Sequence, residues 1–177
     1  MNKNEMTLLY LLMSVDGKVS KEEEIKFDTT LKQYGLESYK TEIRNDIKKI
    51  EKKVNVSKSD MKKVFETYLE QTNQSDIYAG SSELKTLLWL MVNMSFADGE
   101  CCQNEKELIK CFTDGRIESS VAEDMMDAAR AMLAIQKEKD WLKTEKNMPQ
   151  EDSEAITKEL DKNQAVLEES IRVLIEQ

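Results

Sequence analysis

SVDGKVSKEE at residues 14–23 and FADGECCQNE at residues 96–105 decide how this chain reads. Each carries an Asp-Gly pair with a Glu seven residues after the Asp. Aligned on that pair, the two share D-G-x-(Val/Cys)-(Ser/Cys)-x-x-E. Asp16, Gly17, Val19, Ser20 and Glu23 match Asp98, Gly99, Cys101, Cys102 and Glu105. An apolar helical run precedes each copy and an amphipathic one follows. The pattern is an internal repeat with a period of about 80 residues, so two related halves of one domain.

The motif has two readings. In the first, each Asp-Gly makes a turn and each Glu satisfies an amide at the start of the next helix. In the second, Asp16, Glu23, Asp98 and Glu105 converge, and a cation offsets the mutual repulsion of four carboxylates. The spacing imitates the back half of an EF-hand loop, but the first ligand position falls on Leu12 or Met94 and the third on Ser14 or Phe96. That excludes an EF-hand. The chain has no histidine, which excludes His-based triads and imidazole zinc sites. A metal here would be held by oxygen, favouring Mg, Ca or Mn.

The chain has 177 residues, enough for one core, with a single proline (Pro149) and five glycines. So few breakers argue for long helices. Cys101, Cys102 and Cys111 are odd in number and lack a CxxC pair, which predicts a reduced, cytosolic protein without disulfides. No stretch reads as a targeting segment, and TLLWLMVNMSFA (86–97) is too short to span a bilayer. Of the net charge of −9, residues 1–80 contribute nothing, with 14 basic and 14 acidic side chains. Residues 81–177 carry 12 basic and 21 acidic ones. An acidic second half disfavours nucleic acid and suits a solvated surface, a cation or a basic partner.

Helical periodicity runs through the whole length. Leu8, Leu9, Leu11, Leu12 and Val15 fill a first helix that Asp16-Gly17 ends. Ser20-x-x-Glu23 is a capping box for a second, stopped by Gly35. A third, about 37–54, aligns Ile43, Ile47, Ile50 and Val54, and Ser57-x-x-Asp60 opens a fourth through about residue 72. After a polar loop (72–82), helix 83–97 is apolar nearly all round and belongs at the centre of a bundle, almost wholly buried. A sixth helix runs about 103–113 and a long seventh is capped by Ser120-x-x-Glu123, with Pro149 in the first turn of a last one.

The stretches LLYLLMSVDGKVSKEEE and LWLMVNMSFADGECCQNEKEL resemble the tellurite-resistance protein B family, the TerB-like domains, over roughly residues 5–140. The resemblance implies an all-α bundle of about seven helices in two pseudo-symmetric halves, with the acidic residues of both turns close together and binding divalent metal. It also implies a part in tellurite and other chemical stress responses, phage resistance, or the scaffolding of membrane-linked complexes. Cys101-Cys102 departs from the family's apolar-Ser pair and weakens the second cap.

Elsewhere the chemistry is sparse. Lys48, Lys49, Lys52, Lys53, Arg44, Lys62 and Lys63 are interleaved with acids and read as a solvated face. The three cysteines make an incomplete soft-metal set. No phosphate loop and no nucleophile-base pair is present. The last helix carries the stripe Ile156, Leu160, Leu167, Ile171, Leu174, interrupted by Asn163 and Gln164. Those interruptions suit a partner or self-association surface better than a core. The expectation is an all-α TerB-like bundle at 1–146 (halves about 1–74 and 82–146) with an additional helix at 149–177. It is expected to be a non-enzymatic adaptor subunit of a stress-response or phage-defence assembly. The alternative is a divalent-cation module holding Mg or Ca through Asp16, Glu23, Asp98 and Glu105.

Overall fold

The computed structural model describes residues 1–15, 19–54, 61–72, 81–145 and 147–177. Among the described residues there are eight α-helices and no strand: α1 Lys3–Met13, α2 Lys21–Gln33, α3 Lys40–Val54, α4 Met61–Thr72, α5 Ser81–Ser95, α6 Gln103–Thr113, α7 Ser119–Thr144 and α8 Gln150–Glu176. A short 3-10 turn, Glu37–Tyr39, leads into α3.

Two helices form the centre. In α1, Met6, Leu8, Leu9, Leu11 and Leu12 are all fully enclosed, so no face of it is left for solvent. It packs on α2, α3, α4 and α5. In turn α5 packs on α6, α7 and α8, so each central helix is wrapped by the three that follow it. Phe27 of α2, Ile43 of α3, Phe65 of α4, Phe112 of α6, Met125 of α7 and Ile171 of α8 all enter one apolar core. Burying side chains of this size contributes about 1.5–3 kcal/mol each. The core therefore fixes the starts of α2 and α6, which follow the two central helices.

The end of α2 shows how local sequence sets a boundary. Gly35 has φ +67°, its amide bonds to Lys32 O at 3.1 Å, and the Leu36 amide bonds back to Leu31 O at 2.8 Å. This is a Schellman closure, with Gly supplying the left-handed residue.

Several expected boundaries move. The seventh helix begins at Ser119 with Glu118 at its N-cap and no side-chain capping bond. The Gly115 turn, with the Ile117 amide on Thr113 O at 3.0 Å, delivers the chain into the helix before Ser120 can act as a cap. Pro149 sits at the N-cap of α8, one position before its first turn. Helix α5 is central but less enclosed than its composition implies. Leu87, Leu88, Met91, Val92 and Met94 are buried, whereas Leu84, Trp89 and Leu90 are half-buried and Glu83 is exposed. The Asp16-Gly17 pair and the Ser57-x-x-Asp60 cap lie outside the described residues.

The main core takes in α7 only as far as Leu133 and α8 only from Leu167. Beyond those points the two helices continue packed on each other as an arm, α7 ending at Thr144 and α8 beginning at Gln150, with Leu142 and Leu160 as the two buried residues of its span among those described. This arm is the second feature that the bundle positions.

Candidate functional site

The corner is built from helix caps. The Glu23 carboxylate accepts from the Ser20 amide at 2.6 Å, and the Ser20 hydroxyl accepts from the Glu23 amide at 3.1 Å. In the second copy the Glu105 carboxylate accepts from the Cys102 amide at 2.7 Å, while the Cys102 sulfur accepts from the Glu105 amide at 3.5 Å. A thiol has thus replaced the hydroxyl without abolishing the box. A third box, Asn2 with Glu5, opens α1. Sequence reasoning missed it, although Asn2-x-x-Glu5 carries the same spacing.

Both Glu23 and Glu105 are buried, at 6% and 7% exposure. Burial pushes the Glu105 carboxyl up to about 7, with Glu23 and Asp98 adding to the rise and the Cys102 bonds opposing it. Glu23, from the first half of the chain, and Asp98 are therefore each within electrostatic reach of Glu105. Asp98 itself is exposed, its carboxylate accepting from the Glu100 amide at 3.4 Å. Asp16 lies outside the described residues. Among the described residues no group of three or more Cys, Asp or Glu is disposed to hold a metal ion.

Cations touch the backbone around this corner. Lys26 of α2 donates to Asn93 O near the end of α5 at 2.6 Å, and burial lowers its pKa. Placing an ammonium on a carbonyl of the last turn complements the helix dipole. Lys137 of α7 reaches Gly99 O at 3.5 Å. The cysteines beside the corner are not activated. Burial and then Glu105 push the Cys101 thiol up to about 11, and burial raises Cys102 and Cys111 as well. Reactive thiols are shifted the other way.

The α8 stripe faces its own bundle. Leu160 and Ile171 are buried, Ile156, Leu167 and Leu174 are half-buried, and α8 packs on α7 and α5. The polar interruption is answered within the chain. Gln164 accepts from Lys139 Nζ at 2.7 Å and donates to Glu168 at 2.7 Å, and the same ammonium pairs with Asp161 at 2.7 Å. Asn163 points to solvent. The apolar surface left outside is different: Trp141 at 50% exposure, Val166 at 65% and Val173 at 41%. At the tip of the arm Trp141, Met148, Pro149, Ala155 and Ile156 line an open cavity of about 610 Å³, flanked by Glu145 and Asp152. Sequence reasoning followed the periodic stripe, which includes Ile156, and passed over Trp141, Val166 and Val173, because an isolated Trp or Val on an acidic helix carries no period.

No helix among the described residues is long and apolar enough to cross a membrane. No curated protein matches the chain significantly, and no solved structure does. The family model for tellurite resistance protein TerB matches residues 3–115, the span from α1 through α6. With both D-G-x₅-E corners inside that match, on an all-α bundle, the chain belongs to the TerB family.

Proposed function

We propose that the protein is a non-catalytic adaptor subunit of a stress-response or phage-defence assembly, and that it contacts its partners through the α7–α8 arm. One observation carries this reading. The arm lies beyond the residues matched by the family model and presents Trp141 and Val166 to solvent, with Trp141 lining a cavity at its tip, and Val173 is exposed farther along α8. Large apolar side chains left outside, one of them at a concave site, are what a protein interface uses. The stripe residues Ile156, Leu160, Leu167, Ile171 and Leu174 serve this role mainly by fixing α8 in place, with Ile156 alone reaching the tip cavity. The test compares tagged wild type with a Trp141→Ala, Val166→Ser, Val173→Ser variant purified from the native host. Loss of specific partners from the variant, with its helicity intact, is expected; an unchanged set of partners overturns the reading.

A second reading has its own support. Glu23 and Asp98 lie close enough to Glu105 to raise its pKa, and an all-carboxylate donor set suits Mg or Ca. The three described carboxylates are not disposed as a ligand group, so this reading needs Asp16 as the completing ligand. A cation bound only by the folded state raises the melting temperature. Calorimetry with Ca and Mg on wild type, Asp16→Asn and Asp98→Asn tests it. Absence of any binding heat in the wild type at millimolar cation removes it.

A further inference from the structure

We infer that the tip of the α7–α8 arm is a docking pocket for a basic, apolar segment of a partner protein. An arginine or lysine of that segment lies on the Trp141 ring between Glu145 and Asp152. The inference rests on the adaptor reading and adds the chemistry of the partner.

The site is an open, shallow concavity of about 610 Å³, a shape that suits an extended segment lying across it. Met148, Pro149 and Ile156 supply an apolar floor, and Trp141 remains half in solvent beside it. Glu145 is held in place by accepting from the Asn147 amide at 2.9 Å, so its charge stays at the rim. Asp152 sits in the first turn of α8, where an acidic side chain complements the helix dipole. Among the described residues neither Glu145 nor Asp152 enters an ion pair.

Charge identifies the occupant. From residue 140 to residue 156 the sequence has five carboxylates, Asp140, Glu145, Glu151, Asp152 and Glu154, against Lys143 and Lys146. Lys143 is already bonded to Asp140 at 2.7 Å. A cation over an indole face is attracted by the ring quadrupole, and flanking carboxylates strengthen the attraction. An acidic segment or a nucleic acid would meet repulsion at the same rim. An apolar side chain next to the cation would cover the floor. The partner is therefore a segment with neighbouring basic and aliphatic residues.

The test uses the full chain, with its two tryptophan indole N–H groups (Trp89 and Trp141) as NMR reporters. The probes are capped peptides alternating arginine with leucine, and glutamate with leucine. The arginine peptide is expected to shift the Trp141 signal saturably and leave Trp89 in place. A Glu145→Gln, Asp152→Asn variant, or high salt, should weaken that binding about ten-fold. All these side chains lie at the surface, and circular dichroism checks that the variant folds; should the pair unfold, Asp152→Asn alone supplies the same comparison. Equal binding of the two peptides, no shift at millimolar peptide, or binding unchanged by the substitutions overturns the inference. So does self-association of the chain that is lost on Trp141→Ala without any peptide binding, because the pocket would then serve a second copy. If the peptide fails but substituting Trp141, Val166 and Val173 still strips partners, the pocket chemistry is wrong and the adaptor reading stands.

Discussion

Cys102 and Glu105 hold each other across the start of α6, the Glu carboxylate taking the Cys amide at 2.7 Å and the sulfur taking the Glu amide at 3.5 Å. The first half makes the same bond with oxygen at 3.1 Å. Sulfur is the weaker acceptor, so Cys102→Ser should tighten the cap. The expected gain is about 0.5–1 kcal/mol, within the range of N-cap effects. That corresponds to roughly 1–4 °C in melting temperature for a chain of this size. Thermal denaturation of the variant checks it, and a fall would show that burial of the thiol outweighs its bond.

Glu105 makes stability depend on pH in the unusual direction for a carboxylate. Its folded pKa is raised from 4.5 to about 7, so between those values the folded chain holds a proton that the unfolded chain has released. Stability supplied by this group is complete below pH 4.5 and falls as pH rises to about 7, above which it stays flat. Glu105→Gln keeps an oxygen for the Cys102 amide and removes the charge. Measured in chelator, the variant should be more stable than wild type at pH 8, with the difference vanishing near pH 4. A wild type that gains stability through this window relative to the variant contradicts the assignment.

Gly35 has open space where a Cβ would go, yet its φ is +67°. Gly35→Ala should therefore lose about 1 kcal/mol from backbone strain alone. Gly35→Asn should lose less, because Asn tolerates the left-handed region. Urea denaturation of the two variants distinguishes strain from lost packing.

Ile171 is 5% exposed and joins the main core from α8. Ile171→Ala should destabilise the whole protein by about 2–5 kcal/mol. Removing residues 150–177 uncovers α5 as well as α7 and is expected to abolish cooperative unfolding. A truncated chain that melts as sharply as wild type would show that α8 is dispensable to the bundle.

The helices were legible because their signals are local. Leu8, Leu9, Leu11 and Leu12 crowd one segment, Ser20 and Glu23 stand at capping distance, and Gly35 closes a turn. The correspondence of the Ser20–Glu23 and Cys102–Glu105 boxes was legible only through the repeat, since nothing else in the sequence links residues so far apart. What stayed hidden depends on tertiary geometry. Gln164 looked like a break in an apolar stripe, and only the fold brings Lys139 within 2.7 Å to use it. Ser120 and Glu123 had the spacing of a cap, but the path of the chain out of the Gly115 turn started the helix ahead of them. Trp141 gave no signal because one aromatic on a charged helix becomes a candidate site only when the turn at Pro149 folds a second wall against it.

The arm has a consequence for how ligands of this protein are detected. From residue 134 to residue 166, Leu142 and Leu160 are the two buried side chains among those described. So thin an apolar seam predicts a lower opening free energy for the arm than for the bundle, so that it exchanges as a separate unit. On heating, that unit is expected to melt before the global transition. A molecule bound at its tip therefore loses its site before the reporter of a thermal-shift screen responds. Binding should instead register as slowed amide exchange confined to the ends of α7 and α8, at temperatures far below the melting point.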